Sequence, residues 1–238
     1  MTVGLLLIAT GRYDCFVPAL VESVEKHFFP GFDVKIFLFT DQPFYFYESA
    51  RIKFKYIKIP HHPFPFATLY RYNHFTQYND FIISAGCDYL FYCDVDMLFV
   101  DTVSLEILPS DAQGLTCVRH PGFWQGGWGS PNTDNRSTAW LAPQDRKVYV
   151  AGGFQGGITQ HYLEMSKMLA HNIWIDEMNN VMAQWHDETH LNWYINQREV
   201  NVLTPEYCFP DAAWAKNLPF KKKLVALDKN HHDIRQKI

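Results

Sequence analysis

From Tyr89 to Val100 the chain is apolar at every position except Asp94 and Asp96. Such a run reads as a buried strand. A fold that buries it must also satisfy two carboxylates, which are costly to desolvate without compensation. In an extended strand, residues two apart point to the same face, so Asp94 and Asp96 can reach one hard divalent cation through oxygen. That reading gives a metal–diphosphate site. The alternative is a strand that ends before Asp94 and leaves two solvated loop aspartates. The apolar residues Met97 to Val100 argue against it.

The rest of the first half supplies partners for such a strand. Val3 to Ala9 is strand-like, and Val34 to Thr40 again, ending at Thr40-Asp41-Gln42-Pro43. Between them, Phe16, Val17, Leu20, Val21 and Val24 have helical spacing over Tyr13 to Phe28. Arg51 to Ile59 alternates Lys with apolar residues and predicts an edge strand. Pro60 to Pro65 breaks the chain, Thr68 to Asn79 predicts a helix, and the strand carrying Asp94 and Asp96 follows over Asp88 to Val100. This alternation predicts an α/β fold, a mixed and mainly parallel sheet with helices on both faces. Ligands of such sheets gather at the carboxyl ends of strands, where Thr10, Asp41 and Asp96 fall.

Length and composition narrow the function classes. With 238 residues the chain forms one large domain or two small lobes. We find no internal repeat and no low-complexity linker, which favours one domain. Net charge is -4, and Lys221-Lys222-Lys223 is the only basic cluster, which argues against nucleic acid as a main ligand. No stretch is long enough to span a membrane, and Gly4 to Ala9 lacks the basic flank of a signal peptide. Five cysteines without a C-x-x-C pair predict a reduced, cytoplasmic protein. The 16% aromatic content suits stacking on carbohydrate as well as an ordinary core.

The second half carries other candidates. Gly122 to Pro131 reads as a loop. Gly152-Gly153 and Gly156-Gly157 flank Phe154-Gln155; they mark either a tight turn before a helix near His161 or close backbone approach to a ligand. Trp185-His186-Asp187-Glu188-Thr189-His190 has two histidines four apart. A zinc-protease motif needs Glu directly after the first His, and Asp187 holds that place. Two readings remain: a carboxylate pair offered to a sugar with Trp185 as stacking face, or an acidic first helical turn that satisfies the dipole. Lys229 and Arg235 fall in a tail that by itself reads as a frayed terminus.

Together these strings resemble glycosyltransferase family 6, the retaining α1,3-galactosyl- and N-acetylgalactosaminyltransferases of the histo-blood-group A and B type. The matching residues are Phe39-Thr40-Asp41-Gln42-Pro43, Asp94-Val95-Asp96-Met97, His120-Pro121-Gly122-Phe123, Gly152-Gly153-Phe154, Trp185-His186-Asp187-Glu188 with His190-Leu191-Asn192, Pro205-Glu206-Tyr207, and Lys229-Asn230-His231 with Arg235. They follow the family's order over nearly the whole chain.

The resemblance implies a GT-A fold with a Rossmann-like nucleotide-sugar half over about 1–118 and an acceptor and catalytic half over about 119–238. It implies a UDP-sugar donor, a Mn²⁺-type divalent cation and an acceptor ending in β-galactose, with or without fucose. By match, Ile8, Ala9 and Tyr13 hold uracil and ribose, and Arg71 stands near the donor sugar. Asp94, Val95 and Asp96 contact the donor and the metal, with Asp94 and Asp96 as metal ligands. Ala151, Gly152 and Gly153 line the donor, with positions 151 and 153 as the donor selector. Asp187 contacts the donor sugar, and Glu188 is the catalytic carboxylate below the anomeric carbon. It serves either as transient nucleophile or as electrostatic partner. His120 and Trp185 contact the acceptor, and Lys229 and Arg235 close over the diphosphate. The small selector residues predict GalNAc ahead of Gal.

The chain departs from the vertebrate members, which carry a membrane anchor and stem, and looks like the short microbial or viral ones. Many of those have Asn for both aspartates and work without metal. Retention of Asp94 and Asp96 predicts metal dependence. Pro131-Asn132-Thr133-Asp134-Asn135-Arg136 replaces the family's Thr-Tyr-Glu-Arg-Arg stretch on the acceptor side. The alternative functions are a sugar-binding module without turnover and a UDP-Gal-specific transferase.

Overall fold

The computed structural model describes residues 1–43, 48–129, 131–230 and 234. Its strands are β1 (Thr2–Ala9), β2 (Asp33–Thr40), β3 (Ile52–Lys58), β4 (Tyr89–Cys93), β5 (Met97–Phe99), β6 (Leu115–Arg119), β7 (Val150–Ile158), β8 (Asn201–Leu203), β9 (Phe209–Pro210) and β10 (Leu224–Ala226). Its α-helices are α1 (Val17–His27), α2 (Phe66–Leu69), α3 (Arg71–Gln77), α4 (Asn79–Ser84), α5 (Thr159–Met178) and α6 (His186–Ile195).

The main sheet has seven strands in the order β3-β2-β1-β4-β7-β6-β8. β1, β2, β3 and β4 run parallel, as do β6 and β8, while β7 is antiparallel to both neighbours. The expected mixed, mainly parallel sheet is therefore present, with β3 at its edge. Period-two burial explains the layers. Val3, Leu5, Leu7 and Ala9 of β1 face one core with Val17, Leu20 and Val24 of α1. Leu6 faces the other core, with Tyr72 and Phe75 of α3 and Tyr162 and Leu169 of α5. The seam expected near residue 118 falls inside β6, whose pairing with β7 and β8 joins both halves in one sheet.

Two sequence-based elements are corrected. Asp88 to Val100 is not one strand. β4 leaves the main sheet after Cys93, Asp94-Val95-Asp96 turns, and β5 joins a second, three-stranded sheet in the order β5-β10-β9. Val95, Met97 and Phe99 are buried in the same core as Phe91 and Cys93, so the composition stays apolar through the turn. Hydrophobic pattern alone does not register such a change of direction. The Thr68 to Asn79 helix is broken into α2, α3 and α4 at Tyr70 and Tyr78. Tyr70 turns its hydroxyl to Glu177 at 2.5 Å, and Tyr78 packs edge-on against Phe39. Tertiary contacts thus override the helical propensity of the segment.

Gly156-Gly157 is not a turn before a helix but part of the last stretch of β7, and α5 begins at Thr159. A Cβ at 156 would lie 2.3 Å from the Phe91 ring and 2.4 Å from the Leu90 carbonyl. Here the close backbone approach is to the neighbouring strand. Among the described residues no helix is long and apolar enough to cross a membrane.

Candidate active site

The carboxyl ends of β1, β2 and β4 open on one edge of the sheet, where α3, β7 and the start of α6 converge. Two asparagines fix α6 there. Asn192 accepts from the Val150 N–H (2.8 Å) and donates to the Val150 and Glu188 carbonyls (2.9 Å each). Asn196, one turn on, accepts from Lys147 and Val148 and donates to the Val148 carbonyl. These side chains complete the ladder of β7 with a helix face and set the first turn of α6 above Gly152. Their spacing of four among Leu191, Tyr194 and Ile195 is a legible signal of two polar groups on a buried helix face. The sequence reading did not use it.

Gly152 is the hub. Its N–H donates to Glu188 Oε2 at 2.8 Å, and its carbonyl accepts from Arg71 Nη1 at 2.8 Å. The other Glu188 oxygen accepts from the Tyr149 hydroxyl at 2.6 Å. Burial pushes the Glu188 carboxyl up, and these two donors pull it back. Arg71, only 4% exposed, lies 3.0 Å from Asp187 Oδ2 and 3.4 Å from Asp94 Oδ1, over the Tyr92 ring at 4.2 Å. Its Nε hydrogen points instead to the Thr68 carbonyl at 3.4 Å, so Asp187 Oδ2 is held by charge and has no hydrogen-bond donor. Burial raises the Asp187 carboxyl to about 6 against the pull of Arg71. Asp94 also sits deep in the cleft, and burial raises it to about 6, again opposed by Arg71. Its side chain nevertheless keeps an open face, 37% exposed. Tyr92 donates to Asp94 Oδ1 at 2.5 Å.

Asp96 is 8% exposed and ion-paired to Lys229, which reaches back from beyond β10. The backbone supports this approach, since Leu227 N–H donates to the Asp96 carbonyl at 3.0 Å. Lys229 is thus docked, not frayed. Arg235 lies outside the described residues. Four carboxylates (Asp94, Asp96, Asp187, Glu188) converge against two cations (Arg71, Lys229). Among the described residues no cluster of three His, Cys, Asp or Glu side chains could cage a metal. The residues present still fit a divalent cation of the diphosphate-bridging kind, which takes one or two carboxylates and fills its shell with phosphate and water. Asp94 Oδ2 is open, and Asp96 already accepts a cationic group.

The remaining sequence-derived residues fall in two regions. Ile8 and Tyr13 are half-buried at the end of β1, while Ala9 is fully buried and can offer only backbone. Beside them, Gly11 is held at φ +57 with its N–H on Asp41 Oδ1 at 3.0 Å, a left-handed turn that suits glycine. Val95 and Ala151, each 4% exposed, face the first core. Gly153 faces the cleft, where a Cβ would lie 3.0 Å from Asp94 Oδ2 and 3.4 Å from Met97 Sδ.

His120 Nδ1 accepts from the Gly122 N–H at 3.1 Å, which leaves Nε2–H as a donor. Burial pushes this imidazole down to about 4, so it is neutral. Trp185 is 48% exposed at the start of α6. His186 and His190 turn to different partners, Phe64 and Asp176. Asp176 also accepts from the Ser137 hydroxyl at 2.5 Å and the Thr138 N–H at 2.7 Å, which clamps the segment after residues 131–136 onto α5.

Comparison with known proteins shows the family of the chain. The family model for glycosyltransferase family 6 matches residues 1–236. The rat histo-blood group ABO system transferase 1 is 30% identical over 98% of this chain and 68% of its own length. The human globoside alpha-1,3-N-acetylgalactosaminyltransferase 1 is 28% identical over 98% of this chain and 67% of its own length. The Escherichia coli O-antigen biosynthesis glycosyltransferase WbnI is 25% identical over 89% of each chain.

Proposed function

The chain belongs to glycosyltransferase family 6, and from that premise we propose that it transfers GalNAc from UDP-GalNAc, with retention, to the 3-hydroxyl of a terminal β-galactoside. That the chain is a hexosyltransferase follows from the family. The donor, the acceptor and the residue roles are our reading. The observation that carries it is Glu188, a half-buried carboxylate tied at both oxygens and set beside Gly152 and Asp187.

Cleavage of the sugar–phosphate bond builds oxocarbenium character at the anomeric carbon. An ionised Glu188, held in place by its two donors, stabilises it through space. Asp187, buried against Arg71, acts on the donor sugar through that guanidinium and its charge. His120 donates to the acceptor from Nε2, and the exposed Trp185 offers a stacking face. Asp94 and Asp96 would hold the cation, and Lys229 would shift from Asp96 to a diphosphate oxygen. A divalent cation, when bound, supplies positive charge that stabilises the leaving diphosphate.

Release of UDP tests the reading. We expect release to require Mn²⁺ or a similar ion, to be accelerated by a β-galactoside over slow hydrolysis without it, and to be fastest from UDP-GalNAc. Undiminished turnover in excess EDTA would remove the metal from the scheme. No release from any UDP-sugar would favour a sugar-binding module.

Donor choice gives a sharper prediction. Glycine at 153 adds no side chain beside Asp94 and Met97, and a 2-acetamido group needs more room than a hydroxyl. Gly153→Ala should lower the UDP-GalNAc to UDP-Gal ratio of kcat/KM roughly 5- to 150-fold, the equivalent of ~1–3 kcal/mol of overpacking. Absolute rates should fall with both donors, because the new methyl also presses on Asp94. Competition between the two donors measures the ratio, and an unchanged value excludes position 153 as selector.

A further inference from the structure

We propose that Tyr149 is a positioning residue that links the acceptor wall to Glu188 and sets how the donor sugar is divided between acceptor and water. This rests on the reading of Glu188 given above.

Tyr149 immediately precedes β7 and is 4% exposed. Rings of the acceptor-side segment surround it: Phe123 at 5.4 Å, Trp128 at 5.3 Å and His120 at 5.5 Å. The loop is pressed so close that a Cβ at Gly129 would lie 2.9 Å from Tyr149 Cζ. The Tyr149 carbonyl accepts from the His120 N–H at 2.9 Å, which ties the same wall from the backbone side. From inside this ring the hydroxyl reaches Glu188 Oε1 at 2.6 Å. The opposite oxygen is fixed by Gly152 on the donor side. One carboxylate is therefore oriented by two walls, and Tyr149 is its tie to the acceptor wall.

That tie has a consequence for water. In transfer, the C1–O bond to the diphosphate breaks and its electron pair leaves on phosphate oxygen. The acceptor hydroxyl oxygen bonds to C1 and gives up its proton to the departing diphosphate. In hydrolysis, water takes the acceptor's place and free sugar and UDP result. The Tyr149 hydroxyl fills the space beside Oε1 where a water would otherwise be held by the carboxylate. Removing it loosens Glu188 and leaves Oε1 without its donor, so that the carboxylate can turn to hold a water instead.

Tyr149→Phe should lower acceptor transfer roughly 10- to 100-fold, the usual loss for a hydrogen bond to a charged group. UDP release without acceptor should hold or rise, so the transfer-to-hydrolysis ratio falls by at least about 10-fold. UDP affinity should stay within about two-fold, since no contact to the nucleotide is lost. Trp128→Ala, which loosens the ring without touching Glu188, should move the ratio the same way. A merely structural role would lower both reactions together. Such a parallel fall in Tyr149→Phe, or an unchanged ratio in both variants, overturns the proposal. Glu188→Gln run alongside keeps the two readings apart. Wild-type transfer in Glu188→Gln sinks the assignment of Glu188. An inactive Glu188→Gln beside an unchanged ratio in Tyr149→Phe sinks only the role of Tyr149.

Discussion

Glu188→Gln is expected to cut kcat by roughly 10²- to 10³-fold, the range seen when one preorganised electrostatic partner of a transition state is removed. UDP affinity should barely change. The substitution keeps the size of the side chain, and its amide can still be held. The Gly152 N–H needs an acceptor, so the amide oxygen turns to it, and the amide nitrogen faces Tyr149, whose hydroxyl can rotate to accept. The fold around the first turn of α6 therefore persists while the charge is lost. Steady-state kinetics with calorimetric UDP binding checks this. A loss of UDP binding in step with kcat would make Glu188 a structural residue.

Arg71→Met should be the most destabilising change in the cleft. Methionine replaces most of the aliphatic volume but leaves the Gly152 carbonyl, Asp94 and Asp187 without their cation. Breaking a buried pair from one side costs about 3–5 kcal/mol. For a chain of this size that corresponds to a fall in Tm of roughly 6–20 °C. The loss should depend on pH with a definite sign. Asp94 and Asp187 already titrate at about 6 in the folded state, above the ordinary aspartate value. Without Arg71 both rise further. A carboxyl raised in the folded state contributes stability that is present below its unfolded pKa and is lost as pH rises through the folded one. The variant should thus be closer to the parent at pH 5 than at pH 8. Thermal unfolding at both values tests it, and a variant within ~2 °C of the parent at pH 8 would mean the network contributes little.

Much of this molecule was legible in the chain. β1, β2, β3 and α1 are local patterns, alternation of period two and spacing of three and four, and the structure has the strands where the pattern lies and α1 from Val17, with 3₁₀ turns over Gly11–Phe16 in place of its expected first turn. The four acidic residues of the cleft were legible for a different reason. Asp94 and Asp96 interrupt an apolar run and so conflict with their surroundings, while Asp187 and Glu188 stand out as a carboxylate pair in a dense cluster of Trp and His. The failures share a cause too. The turn at Asp94-Val95-Asp96 and the breaks at Tyr70 and Tyr78 leave composition unchanged, because both arms of each bend stay buried or packed.

By itself, then, the sequence determined the family, the α/β alternation and the identity of the acidic and basic groups, since these reside in residue type and order. Only the tertiary structure decided which oxygen meets which donor. It put Tyr149 on Glu188, Lys229 on Asp96, Arg71 on Gly152 and the asparagines of α6 on β7. Those contacts join residues far apart in the chain, and their geometry is set by how helices seat on the sheet. Burial then moves the carboxyls, so the charge state of the cleft is a property of the packed molecule and of no residue in it.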